Sequence, residues 1–220
     1  VGEDNSHAAA IIYDYSVLAG SQGFFHHQKL DRICEKAEEF SLPVVIFTEG
    51  GGGRPGDTDV TTQIAGLHIP SFSTWARLTG KCLKIAVNNG YCFAGNAVLF
   101  GCSDFMIATK QSWIGMAGPA MIEGGGLGVY DPKEIGPAEQ QYKNGVLDYL
   151  AEEEKEATFI AKKLLSYFQG NLSDWSIDDQ TKLRDIIPED RRLAYPVRDV
   201  IEILSDRDSF LAVSYTHLTL

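Results

Sequence analysis

Cysteine is scarce and poorly spaced for metal. The chain has four, Cys34, Cys82, Cys92 and Cys102, and no two form a C-x-x-C pair, so a zinc ribbon is not expected and no metal site is assigned. Three of them lie inside apolar stretches, where cysteine behaves as a small hydrophobe, and the pattern predicts a reducing, cytoplasmic setting. Basic residues are also short: 19 Lys and Arg against 30 Asp and Glu give a formal net charge of −11. Phosphate backbones are held by clustered cations, so this balance argues against nucleic acid as the main partner, while a small anion remains open through local basic residues. No apolar run approaches the roughly 20 residues of a membrane helix, and the first residues lack a basic-then-apolar signal pattern. No membrane partner is expected.

Glycine, by contrast, is concentrated. EGGGGRPGDTD, residues 49–59, puts four consecutive glycines directly after the apolar run Leu42–Phe47. Such a run loses much backbone entropy on folding, so it belongs where side chains would obstruct. The loop lacks the Lys-Ser/Thr of a phosphate loop, and Pro55, Gly56 and Asp57 keep it from opening a helix as a dinucleotide fingerprint would. No G-x-S-x-G is present, which removes a hydrolase elbow.

Elsewhere the periodicity is that of a layered α/β domain. HHQKLDRICEKAEEF carries Leu30, Ile33, Cys34, Ala37 and Phe40 as one apolar helical stripe. LPVVIFTEG and KIAVNNG are short, continuous, β-branched runs of the kind that form buried strands. Between them SFSTWARLTG predicts a helix with Ser71 as N-cap candidate and Gly80 as stop. A further helix and a strand around Phe105 to Ala108 follow, and EEEKEATFIAKKLLSYFQG predicts a helix with Ala157, Ile160, Ala161, Leu164, Leu165 and Phe168 on one face. The order β, α, β, α, β implies a mostly parallel sheet with flanking helices. Residues 171–212 are polar and punctuated by proline, and read as a linker with one short helix, VRDVIEIL.

A second small-residue patch, Gly90-Tyr91-Cys92-Phe93-Ala94-Gly95-Asn96-Ala97, stands between a predicted strand and helix. Backbone N–H groups at Gly95 and Asn96 would point out of that helix start. With N–H groups of Gly51 to Gly53 from the neighbouring strand end, they would make the two-donor geometry of an oxyanion hole. The plain alternative is that both patches are tight turns that let strand and helix pack closely.

DYSVLAGSQG, LPVVIFTEGGGGRPGDTD, GYCFAGNAVLFGCSDFMIAT, IGMAGPAMIEGGGLG and IPEDRRLAYPVRDVIEIL together resemble the N-terminal half of the carboxyltransferase of biotin-dependent acetyl-CoA and propionyl-CoA carboxylases, within the crotonase superfamily. The resemblance implies a crotonase-like ββα superhelix over residues 1–170. It makes 171–212 the link to a second half, and it makes the protein an oligomer whose active site is shared with that half of a partner subunit. It implies transfer of carboxylate from carboxybiotin to the α-carbon of an acyl-CoA through a thioester enolate, with biotin brought by a separate carrier and charged by a biotin carboxylase. The residues it points to are Gly52, Gly53, Gly95 and Asn96 as backbone donors, with Gly51, Arg54, Ala94, Gly118, Lys84 and Lys110 against the substrate. VSYTHLTL, residues 213–220, resembles sequencing-adapter read-through and is set aside as non-native.

Two other functions stay open at this level. A superfamily hydratase would need paired glutamates, but alignment on its pattern puts Val98 and Gly118 where they should stand, and neither can move a proton. Glu123 is the one nearby carboxylate, for a site role or for a helix start. A non-catalytic scaffold that kept the fold is the second. His26 and His27 begin a predicted helix and are expected to be exposed rather than catalytic, and the isolated His68 is likewise not expected to be catalytic. Lys81 joins Arg54, Lys84 and Lys110 as a cation for the CoA phosphates.

Overall fold

The computed structural model describes residues 7–54, 56, 69–170 and 175–214. It divides into two compact units, Val1–Gln169 with Ser214–Leu220, and Gly170–Val213. His68 and most of the tail set aside above lie outside the described residues.

The first unit is built on a sheet of five parallel strands. In chain order its elements begin with β1 (Ala9–Ile12), α1 (Phe24–Phe40), β2 (Val44–Phe47), α2 (Ser71–Arg77), β3 (Lys84–Asn88), β4 (Tyr91–Phe93) and α3 (Gly95–Gly101). They continue with β5 (Phe105–Thr109), β6 (Trp113–Gly115), α4 (Pro119–Gly124), α5 (Ala138–Lys143), β7 (Tyr149–Ala151) and α6 (Glu154–Ser166). The sheet runs β1-β2-β3-β5-β7, and β4 pairs with β6 in a second, two-stranded parallel sheet. The second unit holds α7 (Leu183–Ile186) and α8 (Val197–Leu204), the latter covering VRDVIEIL.

The continuous apolar strands are buried as their composition requires. Val44, Ile46, Ile85, Val87, Ile107 and Ala108 are closed from water, and Val44, Ile46 and Ala108 share one core cluster with Trp75, Leu99 and Phe100. On α1 the buried stripe is His27, Leu30, Cys34 and Ala37, whereas Ile33 and Phe40 are exposed. At about 100° per residue, Ile33 and Phe40 fall at the rim of the arc centred between Cys34 and Ala37. On α6 Ala157, Ile160, Ala161, Leu164 and Leu165 are buried, but Phe168 lies past the helix end and is exposed. Pro70, not Ser71, is the cap residue of α2; Ser71 begins the helix and is buried.

The histidines differ from expectation. His27 is buried, its Nδ1 3.0 Å from Ser71 Oγ. His26 is partly buried, its ring centroid 4.6 Å from that of Tyr13, and Nδ1 has no hydrogen-bond partner. Both head a helix, but their side of its first turn faces inward, His27 onto Ser71 of α2 and His26 onto the Tyr13 ring. Burial, with smaller repulsion from His27, Arg54 and Lys29, pulls the His26 pKa from 6.5 to about 4. Because the folded state holds His26 neutral, its contribution is complete above the ordinary value near 6.5. It is lost as pH falls toward 4. Between pH 7 and pH 4.5 the parent is expected to lose about 2 kcal/mol more stability than His26→Phe, measured by urea unfolding at both pH values.

Candidate functional site

β2 and β3 end side by side, and polar side chains lock their ends. Thr48 Oγ1 donates to Asn88 Oδ1 at 3.2 Å, and Ser112 Oγ donates to the Asn88 carbonyl at 2.8 Å. Glu49 Oε1 accepts the Asn89 N–H at 2.6 Å, and burial pushes this carboxyl above its ordinary pKa against the pull of that bond and of its own N–H. From this frame the glycine loop leaves β2 and crosses the start of α3.

Three of the four loop N–H groups are spent on structure. Gly50 donates to Tyr91 O at 2.7 Å and Gly51 to Ala19 O at 2.9 Å. Gly52 donates to Asn96 Oδ1 at 3.0 Å. The Asn96 side chain is fully buried and its Nδ2 also donates to Thr48 O and Gly20 O, at 3.2 and 3.4 Å, so one carboxamide sews the loop to its surroundings. The space left for side chains is correspondingly absent. A Cβ on Gly50 would stand 2.2 Å from Asn96 Nδ2, and one on Gly52, at φ +89°, 2.6 Å from Ala94 Cβ and 3.2 Å from Gly95 N. Glycine is required at Gly52 twice, by backbone conformation and by approach.

β4 leads into α3 through Ala94, at φ 49° and ψ −119°, a conformation costly for a residue with a Cβ. Its N–H donates to Gly115 O and its carbonyl accepts from Val98 N–H, both at 3.0 Å, which hold it there. The turn starts α3 with Gly95 half-buried, and its N–H, like that of Asn96, has no acceptor among the described residues. Gly53 is exposed, and among the described residues its N–H is likewise unused and nothing lies within 4 Å of where its Cβ would be.

Of the expected donors, then, Gly52 is corrected. Its N–H belongs to Asn96, which leaves Gly53 as the loop glycine whose N–H is unused among the described residues. Asn96 keeps a free backbone N–H, but its side chain has the structural task. Ala94 lies against the loop, its Cβ 2.6 Å from where a Cβ on Gly52 would stand. Gly118 caps α4 and faces the Phe93 ring, 3.5 Å from a Cβ placed on it. Gly51 is exposed above the loop with its N–H committed. Arg54 follows Gly53 directly and its Nε donates to Ser21 Oγ at 3.3 Å.

Lys84 does not belong to the site. It is fully buried at the first residue of β3, the opposite end from the donors. Its Nζ donates to Thr79 Oγ1 at 2.8 Å and to Cys102 O at 2.6 Å, 5.5 Å from the Trp75 ring centroid. KIAVNNG already put Lys84 at the first residue of its strand, and in a parallel sheet that is the end away from the glycine turns, so counting it among the phosphate cations overlooked the strand's direction. Lys84→Met is therefore expected to cost about 1.5 to 3 kcal/mol of stability, read by urea unfolding, while leaving CoA-thioester affinity within about twofold. Lys81 is ion-paired with Glu38, and Lys110, at the end of β5, lies 2.5 Å from Glu152. Glu123 is exposed on α4, and Val98 lies one turn into α3.

Sequence reasoning passed over Gln22 and Tyr13. Both are buried beneath the donors, 2% and 8% exposed. The signal available was a glutamine enclosed by small residues in AGSQG, ahead of an apolar helix, where a polar side chain has no solvent to meet.

A parallel sheet whose strand ends carry a glycine loop against a short helix start defines a crotonase-like α/β protein. The carboxyl transferase domain family matches residues 7–216, and the chain belongs to that family. It is 31% identical to the methylmalonyl-CoA carboxyltransferase 12S subunit of Propionibacterium freudenreichii subsp. shermanii, over 97% of this chain and 41% of that protein. It is 24% identical to the biotin-dependent acetyl-/propionyl-coenzyme A carboxylase beta5 subunit of Mycobacterium leprae, over 94% of this chain and 40% of the relative. Among solved structures, a single-chain, multi-domain long-chain acyl-CoA carboxylase superposes with a TM-score of 0.85 at 50% identity, covering 92% of this chain and 20% of that one. The chain thus spans about two fifths of the curated relatives it matches.

Proposed function

We propose that this chain is the acyl-CoA-binding half of a carboxyltransferase that moves a carboxylate from carboxybiotin to the α-carbon of an acyl-CoA. Carboxybiotin is a co-substrate delivered by a separate carrier and supplies the carboxylate. The observation that carries the reading is the pair of unspent N–H groups at Gly53 and Gly95, from two segments brought together by the side-chain-free approach of Gly52 to Gly95 N.

Carboxybiotin, on giving up its carboxylate, would free a ureido nitrogen to take the α-proton of the thioester, and while that proton is away the thioester carbonyl oxygen carries the negative charge that is the main obstacle. Two fixed N–H dipoles receive it without titrating and without reorganising as it develops. The pair makes one hole, which fits one thioester oxygen. No residue of this chain is assigned to biotin, whose ureido oxygen is left to the second half, reached through 171–212. Val98 and Gly118 offer no proton transfer, which favours carboxylation over hydration. Arg54, directly after Gly53, and Lys110 are the cations proposed to meet CoA phosphates.

The complete carboxyltransferase, given acetyl-CoA or propionyl-CoA and carboxybiotin, is expected to form the carboxylated thioester and to hydrate crotonyl-CoA no faster than background. Hydration above background overturns the reading. This chain alone is expected to bind acetyl-CoA weakly in isothermal titration, with an affinity that falls as salt rises, because phosphates and exposed cations are screened. The absence of CoA binding by either form would favour a scaffold. A long-chain acyl-CoA is a second reading, favoured by the relative that shares 50% of residues with this chain. Comparing transfer across acyl chain lengths decides between them.

A further inference from the structure

Gln22 reaches the surroundings of both donors. Its main chain forms a parallel bridge to the glycine loop: its N–H donates to Gly52 O at 2.7 Å and its carbonyl accepts the Arg54 N–H at 2.9 Å. In such a bridge the residue between the two contacts turns its own N–H away, so this pairing leaves Gly53 N–H pointing outward.

The side chain runs to the other donor. Nε2 donates to Tyr13 Oη at 3.1 Å, which turns Oε1 toward α3, and a Cβ on Gly95 would stand 2.3 Å from Oε1. Oε1 is buried without a hydrogen-bond partner. A buried carbonyl oxygen left unpaired is uncommon in folded proteins and calls for a reason. Here Tyr13 claims the nitrogen, and the oxygen is carried into the space that Gly95 leaves empty.

We infer that Gln22 is the positioning residue of the donor pair: its backbone fixes Gly53, and its carboxamide, braced by Tyr13, fixes Gly95. It makes no contact with substrate and acts only through these two glycines. This rests on the reading that Gly53 and Gly95 receive the thioester oxygen.

A double-mutant cycle in the complete carboxyltransferase tests it. Gly95→Ala drives a methyl into Oε1 and is expected to lower kcat by more than about 10-fold, since sub-ångström displacement of a donor is felt in the transition state. Gln22→Ala is expected to lower kcat by about 10-fold with KM for the acyl-CoA within about twofold, because the donors are needed most after charge develops. Removing the obstructing oxygen relieves the added methyl, so the double variant should exceed the product of the two single effects by about fivefold or more. If Gln22→Ala does not fold, Gln22→Met, which keeps the volume and removes the carbonyl, takes its place in the cycle. Effects that multiply within about twofold, or a Gln22 variant that raises KM at unchanged kcat, overturn the assignment. Gly53→Pro separates the two levels. If a folded Gly53→Pro transfers at the parent rate, the donor reading itself falls; if it does not, and the cycle multiplies, only the role of Gln22 falls.

Discussion

Gly53→Pro in the complete carboxyltransferase is expected to lower carboxyl transfer by about 100- to 1,000-fold, the usual effect of losing one oxyanion donor. Gly53→Ala is expected to stay within about twofold of the parent. The contrast isolates the N–H. Among the described residues nothing stands within 4 Å of a Cβ at Gly53, so alanine meets no obstacle and keeps the donor. Proline removes a donor that no acceptor among the described residues uses, so no hydrogen bond of the described fold is lost. Gly53 is a cleaner position than Gly95, where any added carbon first meets Gln22. Circular dichroism establishes that the proline variant is folded, and single-turnover transfer gives the rate. A folded Gly53→Pro variant at the parent's rate would remove Gly53 from the hole.

Asn96→Leu is expected to cost about 3 to 6 kcal/mol of stability, a large part of the 5 to 15 kcal/mol typical of a domain. Three hydrogen bonds leave with the carboxamide, and the Gly52 N–H, Thr48 O and Gly20 O stay behind, buried without partners. The loop would also lose the contact that holds Gly52 against Gly95, so transfer should fall with stability. Asn96→Asp keeps an acceptor for Gly52 but turns a carboxylate toward two carbonyl oxygens. Its burial should raise its pKa, so this variant is expected to gain stability relative to the parent as pH falls through that raised value. Urea unfolding of the three proteins between pH 5 and pH 8 measures both effects. An Asn96→Leu loss below about 1 kcal/mol would contradict the bonds.

The five-stranded sheet could be read from residue order because its strands announce themselves. Val44–Phe47 and Lys84–Asn88 are apolar runs flanked by glycine, closed on both faces, and each follows an amphipathic helix. The second sheet could not. Tyr91–Phe93 and Trp113–Gly115 are three residues each, too short for any period, and exist as strands only because they lie parallel to one another. The burial of Lys84 and of the paired histidines escapes the sequence for a related reason: a charged or titratable residue is enclosed by what packs over it, and Trp75, Thr79 and Cys102 lie over Lys84 from other elements.

By itself the sequence determined the parallel α/β order, the glycine loop at the end of β2, the second small-residue turn into α3, and the lack of carboxylates at Val98 and Gly118. These are local properties, carried by periodicity and residue type along one segment. Only the tertiary structure decided which N–H groups are free. Gly50, Gly51 and Gly52 look alike to Gly53 in the sequence, yet their donors go to Tyr91, Ala19 and Asn96. A hydrogen bond is settled by approach in space, and Asn96 reaches Gly52 across 44 residues of chain, so no window of sequence contains both partners.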